Sequence, residues 1–230
     1  MYSVSFKGTN CLEYGLLPVR RPDIPAPELR IAETEIPGRD GVLTESNGDY
    51  APITISIEFN FMRSPDAWAS TFRAAKKWLQ GSGKLELSDD QDYFYRVYYC
   101  KIDDCERTSR KIGKFTVEFH CQPYMYQKDG EMEVENPTSL YNFGAVSRPI
   151  YKITGEGMCT LTVNEKSMTA NIGQNITIDT DAMLAYRKDG TLQNTSVTGD
   201  YEDLYLQPGD NDISITEGFT LSVIPNWREL

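Results

Sequence analysis

The sequence predicts a mainly β protein, with strands and one α-helix over residues 1–130 and a β-sandwich over residues 131–230. Three observations carry that prediction. Apolar residues recur at every second position through Ile53, Ile55, Ile57, Phe59 and Phe61, and again through Phe115, Val117, Phe119 and Cys121, which is the period of a half-buried strand. One window, Ser64 to Gly81, carries the helical period together with both end signals. Beyond Pro137, short alternating runs recur between Gly, Asn and Asp turns with no helical period, the pattern of a sandwich.

In chain order, Tyr2, Val4 and Phe6 fall on one face of a short strand that ends at the Lys7-Gly8 turn. Cys11 to Val19 is less regular, and Pro22, Pro25 and Pro27 exclude a helix or central strand from the next stretch. Glu35 to Gly41 follows as a shaped loop. Pro37 fixes its own φ and pushes Ile36 toward extended geometry, while Gly38 and Gly41 permit positive φ. One reading of Pro37, Gly38, Arg39, Asp40 and Gly41 is a tight turn with a local Arg39–Asp40 ion pair; the other is a contact loop, and the residues leave both open. Asn47-Gly48-Asp49 carries the chemistry of a hairpin turn, which makes a hairpin arm the expectation here.

The long strand from Ile53 leads into the helix. Ser64 stands at its N-cap, Pro65 at its first position and Asp66 in its first turn, with Lys76 and Lys77 in the last turn and Gly81 as the stop. Trp68, Phe72, Ala75 and Leu79 form a core-facing stripe. Lys84 to Leu87 alternates again, and the acidic run Ser88 to Asp92 reads as a solvated turn. Tyr93 to Ile102 carries apolar residues on both faces, as a strand covered on both sides would. Lys114 to Cys121 places Glu118 and His120 outward. Pro123, Lys128-Asp129-Gly130 and Asn136-Pro137 bracket a domain boundary. The runs after it are Ile150 to Ile153, Thr160 to Val163, Ile176 to Ile178, Met183 to Tyr186, Leu204 to Leu206, Ile213 to Ile215 and Phe219 to Val223.

Charge bounds the function. The net charge is −11, divided as 17 Lys and Arg against 19 Asp and Glu (−2) in residues 1–130, and 6 against 15 (−9) in residues 131–230. Gripping phosphates needs a clustered basic surface, so an unassisted nucleic-acid grip is not expected. There is no run of about 18 apolar residues and no basic start leading into an apolar stretch, so membrane insertion and standard export are not expected. The five cysteines at 11, 100, 105, 121 and 159 show no metal-site spacing and read as reduced thiols. With His120 the single histidine, and without a Gly-x-Ser-x-Gly, phosphate-loop or His-Glu-x-x-His element, no catalytic, cofactor or metal site is expected.

Taken together, Phe6-Lys7-Gly8, Ile36-Pro37-Gly38-Arg39-Asp40-Gly41, Trp78-Leu79, Gly83-Lys84-Leu85, Asp89-Asp90 with Tyr93 to Arg96, and Gly113 to Pro123 resemble the distal tail (Dit) proteins of long-tailed bacteriophages. Leu206-Gln207-Pro208-Gly209-Asp210-Asn211 and Pro225-Asn226-Trp227-Arg228 extend the resemblance into the second half. It implies a structural virion protein at the tail tip, assembled in the bacterial cytoplasm and encoded by a free phage or a prophage. The N-terminal domain, residues 1–130, would be a β-sandwich plus one α-helix that forms a six-fold ring, and a galectin-like C-terminal β-sandwich, residues 131–230, would stand outside it. Implied partners are further copies of the chain, the tail tube protein, tail-tip proteins and baseplate or receptor-binding proteins. Two alternative readings remain from the residues: a carbohydrate-binding adhesin using Tyr186, Tyr201, Tyr205 and Trp227 as an aromatic platform, and a glycosidase using carboxylates such as Asp179 and Asp181.

Overall fold

The computed structural model describes residues 1–38 and 40–230, which divide into two compact units: residues 1–125 with Leu230, and residues 126–229.

The first unit begins with β1 (Val4–Phe6) and β2 (Thr9–Asn10), joined by Lys7 and Gly8 at φ +55° and +75°. Positive φ at both central residues is the twist a two-residue hairpin needs. After β3 (Leu17–Pro18), the pair β4 (Ala32–Glu35) and β5 (Val42–Glu45) forms a two-stranded sheet of its own. β6 (Ile53–Met62) buries the predicted set Ile53, Ile55, Ile57, Phe59 and Phe61. Helix α1 (Pro65–Trp78) follows, then β7 (Gly83–Leu87), β8 (Asp90–Ile102) and β9 (Ile112–Gln127). The main sheet has the order β2-β1-β7-β8-β9-β6-β3.

That sheet curls. β1 and β9 lie three strands apart, about 14 Å along a flat sheet, yet the rings of Phe6 and Phe119 meet edge to face at 5.6 Å between centroids. α1 closes the concave side with Trp68, Ala75, Trp78 and Leu79. Trp78 is the keystone: its indole N–H donates to the Phe6 carbonyl at 3.0 Å, and its ring meets Tyr14, Phe6 and Phe59. Ser64 occupies the N-cap as expected, but its hydroxyl makes no capping bond, and Pro65 supplies the start.

β8 meets the expectation of cover on both faces in one part and departs from it in another. The neighbours Phe94 and Tyr95 are both buried, whereas Tyr98 and Tyr99, between the buried Val97 and Cys100, which packs against the core, are both exposed. Two consecutive outward residues break the strand's alternation. Tyr99 stacks on the outward His120 at 4.4 Å.

The second unit contains β10 (Val134–Glu135), β11 (Ser139–Asn142), β12 (Ile150–Val163), β13 (Lys166–Asp179), β14 (Leu184–Tyr186), β15 (Val197–Thr198), β16 (Gly209–Ile215), β17 (Thr220–Ile224) and β18 (Arg228–Glu229). β12 and β13 form a 14-residue hairpin in unbroken register around Asn164-Glu165, both at positive φ. The runs Ile150 to Ile153 and Thr160 to Val163 are therefore one strand. Its first half pairs with β17 and its second with β16. Between the halves, Gly157 sits at φ +108° and Gly155 admits the Phe219 ring so closely that a Cβ would come within 2.2 Å of it. One strand thus serves both layers, which share a core of Tyr151, Ile153, Leu161, Val163, Ile176, Ile178 and Leu221.

One further expectation changes. Leu204 and Leu206 are both buried, as their spacing suggested, but they are not a strand: Tyr201–Leu204 is a 3-10 turn, and Leu206 bridges to Ser147. Within the expected boundary stretch, Gly130 is buried, its carbonyl accepts from the Asn226 N–H at 2.7 Å, and the Gln127 N–H donates to the Trp227 carbonyl. All five cysteines are free thiols. Among the described residues, no helix is long and apolar enough to cross a membrane.

Candidate functional site

The Pro37–Gly41 stretch is the tip of a hairpin arm. β4 and β5 pair antiparallel from Ala32↔Glu45 to Glu35↔Val42, which leaves residues 36–41 as the reversal. Gly38 and Gly41 both adopt φ +82°, the conformation the sequence allowed them, and Pro37, Gly38, Asp40 and Gly41 are exposed. Arg39 lies outside the described residues. The reversal therefore falls here and not at Asn47-Gly48-Asp49. Gly48 does take φ +79°, but Ser46 Oγ donates to the Arg30 carbonyl at 3.0 Å and accepts from the Gly48 N–H at 3.2 Å. Because Leu29 bridges Tyr50 while Ala32 pairs Glu45, residues 46–49 stand opposite only residues 30 and 31, an irregularity in the returning strand.

Every residue of β4 and β5 is exposed. A two-stranded ribbon is marginal in water on its own account, and this one also shows apolar side chains on both faces. Strand alternation puts Ile31 and Val42 on one face, and Ile36 and Leu43 on the other; all four are exposed. At its base is a groove of about 610 Å³, lined by Leu29, Ile31, Ala32 and Ala51 together with Glu28, Glu45 and Asp49. Residues 28–51 hold 6 acidic and 2 basic side chains, a net −4. The arm thus combines unpaired strand edges with exposed apolar side chains and a net negative charge.

The four aromatic residues read as a saccharide platform each have their own surroundings. Tyr186 ends β14 and pairs with Thr177 and Leu192. Tyr201 and Trp227 pack against the second core. Tyr205 carries the Arg148 guanidinium over its ring at 5.4 Å. Among the described residues no two of these four rings stack. Asp179 and Asp181 each have a local structural role: Asp179 Oδ1 accepts from the N–H groups of Asp181 and Ala182, and Asp181 pairs with Arg148 at 3.0 Å. Among the described residues, no group of three or more His, Cys, Asp or Glu is positioned for a metal ion. Periodicity singles out neither Tyr141 nor Phe143, yet Phe143, between Asn142 and Gly144 in a turn, is the most exposed aromatic side chain at 86%. An aromatic residue inside an Asn-x-Gly turn, where no strand or helix face asks for it, is the signal that marks it.

No protein-family model matches the chain, and no curated protein matches it by sequence. A solved structure does match: the Dit protein of phage SPP1, described as a paradigm of the hub adsorption apparatus in phages infecting Gram-positive hosts. The two share 14% identity and a TM-score of 0.72, covering 100% of this chain and 98% of that one. So little identity over so complete a superposition is a likeness of backbone and not of surface. The chain carries, from end to end, the fold of a phage Dit protein.

Proposed function

We propose that this chain is a distal tail hub protein of a bacteriophage virion, a structural component without catalytic activity. Six copies form a ring through residues 1–130, and the acidic residues 131–230 face outward toward tail-tip and receptor-binding proteins. The tail tube protein meets the ring on its other side. The observation that carries this reading is the end-to-end likeness to a hub protein, which includes both units and leaves no large inserted module. The hairpin arm gives the ring a physical cause. Its tip, Pro37 to Gly41, and its apolar faces are covered in the assembly by a neighbouring copy or a tail protein, where charged pairs count for more than on a free surface.

Light scattering coupled to size exclusion, across a range of concentrations, tests the proposal. The expected result is a species of six times the 26.1 kDa of the chain. A 26.1 kDa species persisting at the highest concentration overturns it.

A further inference from the structure

The two faces of the hairpin arm differ in charge. Glu35 lies opposite Val42 and Glu33 opposite Thr44 in the β4–β5 pair, so strand alternation sets Glu33, Glu35 and Val42 on one face. All three are exposed. The other face carries Ile36 and Leu43 with one carboxylate, Glu45. Among the described residues, neither Glu33 nor Glu35 has a cationic partner. One face of the arm is therefore an exposed valine beside two uncommitted carboxylates.

The first unit supplies a surface of opposite sign at the far end of β6. The arm leaves the sheet where Leu29 bridges Tyr50 and the Ala51 N–H donates to the Glu28 carbonyl, just ahead of Ile53. At the other end of this ten-residue strand, about 30 Å away, Met62 pairs with Ile112 on the outward face, and the two are 67% and 38% exposed. Residues 107–111, which lead into β9, hold three basic side chains and no acidic one. Arg107 lies over the Trp68 ring at 4.2 Å. Arg110 and Lys111 are exposed, and among the described residues neither has a carboxylate partner. Ser109 shapes the loop that presents them, its Oγ accepting from the N–H groups of Lys111 and Ile112 at 3.2 Å each.

We infer that the Glu33–Glu35–Val42 face of one copy's arm docks on the Met62–Ile112 end of a second copy, with the two carboxylates facing Arg110 and Lys111. This deepens the ring reading and rests on it: both surfaces lie within residues 1–130, and the contact supplies the arm with its occupant. The match is one of sign and of polarity, since residues 28–51 carry a net −4 and each surface sets an exposed apolar side chain beside two free charges. Arm and acceptor stand at opposite ends of one strand and are both exposed in the single chain, so every copy offers one of each. A contact between two different surfaces of identical chains is head-to-tail, the kind that closes into a ring when the rotation per step allows.

The test uses the full chain and follows its mass against concentration. Arg110→Glu with Lys111→Glu, and Glu33→Lys with Glu35→Lys, should each raise the concentration for half-assembly about tenfold or more, because like charges then face each other across the contact. All four positions are exposed, so the melting temperature of each variant should match that of the wild type. Combining the two reversed pairs in one chain should restore assembly, which isolates this pairing from any other contact that either surface makes. If the wild type forms a ring and either reversed pair assembles as it does, the docking is overturned and the ring reading stands; the arm is then covered by a tail protein. If each reversal weakens assembly and the combination fails to restore it, the pairing of these carboxylates with Arg110 and Lys111 is overturned. A wild type that stays monomeric at the highest concentration overturns both the docking and the ring.

Discussion

Single residues matter here according to what lies within an ångström or two of them. A Cβ on Gly130 would meet the Trp227 backbone nitrogen at 2.4 Å, and backbone does not yield as a flexible side chain does. Gly130→Ala is expected to cost about 1–3 kcal/mol, as overpacking does, measured by urea unfolding. Gly38 is the contrast. Its φ of +82° penalises a β-branched side chain by about 1–2 kcal/mol locally, but nothing stands within 4 Å of its Cβ position and the arm lies outside both cores. Gly38→Val should leave the global melting midpoint unchanged while loosening the tip, read as faster proteolysis there.

Buried acids give the protein a defined response to base. Burial pushes the thiols of Cys100 and Cys121 up from 9.0 to about 12, and Tyr2 and Tyr95 up from 10.0 to about 12. Each group is neutral in the folded state at pH values where the unfolded chain would already have ionised it. The stability they contribute is therefore complete below about pH 9 and declines as pH rises toward 12. Unfolding midpoints in urea should fall across that window and be flat below it. Constant midpoints up to pH 12 would show that the four groups are not held neutral.

At the scale of elements, the helix and the arm are opposites. α1 is held by its buried face, and Trp78 joins β1, β6 and the 3-10 turn Cys11–Tyr14 to it through one indole. Trp78→Phe removes the bond to the Phe6 carbonyl and leaves that oxygen buried, so a loss of about 2–4 kcal/mol is expected from the unmet acceptor and the void. Ser64→Ala should change stability by less than about 0.5 kcal/mol, since the hydroxyl caps nothing. Residues 30–49, replaced by two glycines, should leave the melting temperature where it is, because none of them belongs to either core. The same excision should abolish assembly. A variant that assembles normally without its arm would remove the arm from the ring contact.

For the whole molecule, the passage between units falls inside β9, between Met125 and Tyr126, and not in a loop. Tryptic digestion should therefore cut first at exposed sites such as Arg30, Arg107 and Arg110, and later at Lys128, whose neighbours Gln127 and Gly130 are bonded to Trp227 and Asn226. Early cleavage after Lys128, seen by mass spectrometry, would count against that bonding. Much of this fold was legible in the sequence: the inward sets of β6 and β9, the limits of α1, the Lys7-Gly8 turn and the positive φ of Gly38 and Gly41 all follow from local period and backbone sterics. Those signals act within one turn or one strand, so a single chain segment is enough to carry them. Other features were not legible because they depend on partners distant in sequence. Whether Ile150 to Val163 is one strand or two depends on β16 and β17 pairing with its two halves. The arm reverses at Pro37–Gly41 because Ala32 to Glu35 finds Val42 to Glu45, which demotes the equally good turn signal at Asn47-Gly48 to an irregularity. Phe143 stands exposed on a fixed turn because the carbonyls of Leu206 and Arg228, more than 60 residues away, hold Asn142 and Ala145 on either side of it. Local sterics choose each conformation on offer, and long-range hydrogen bonding and burial decide which of them the chain keeps.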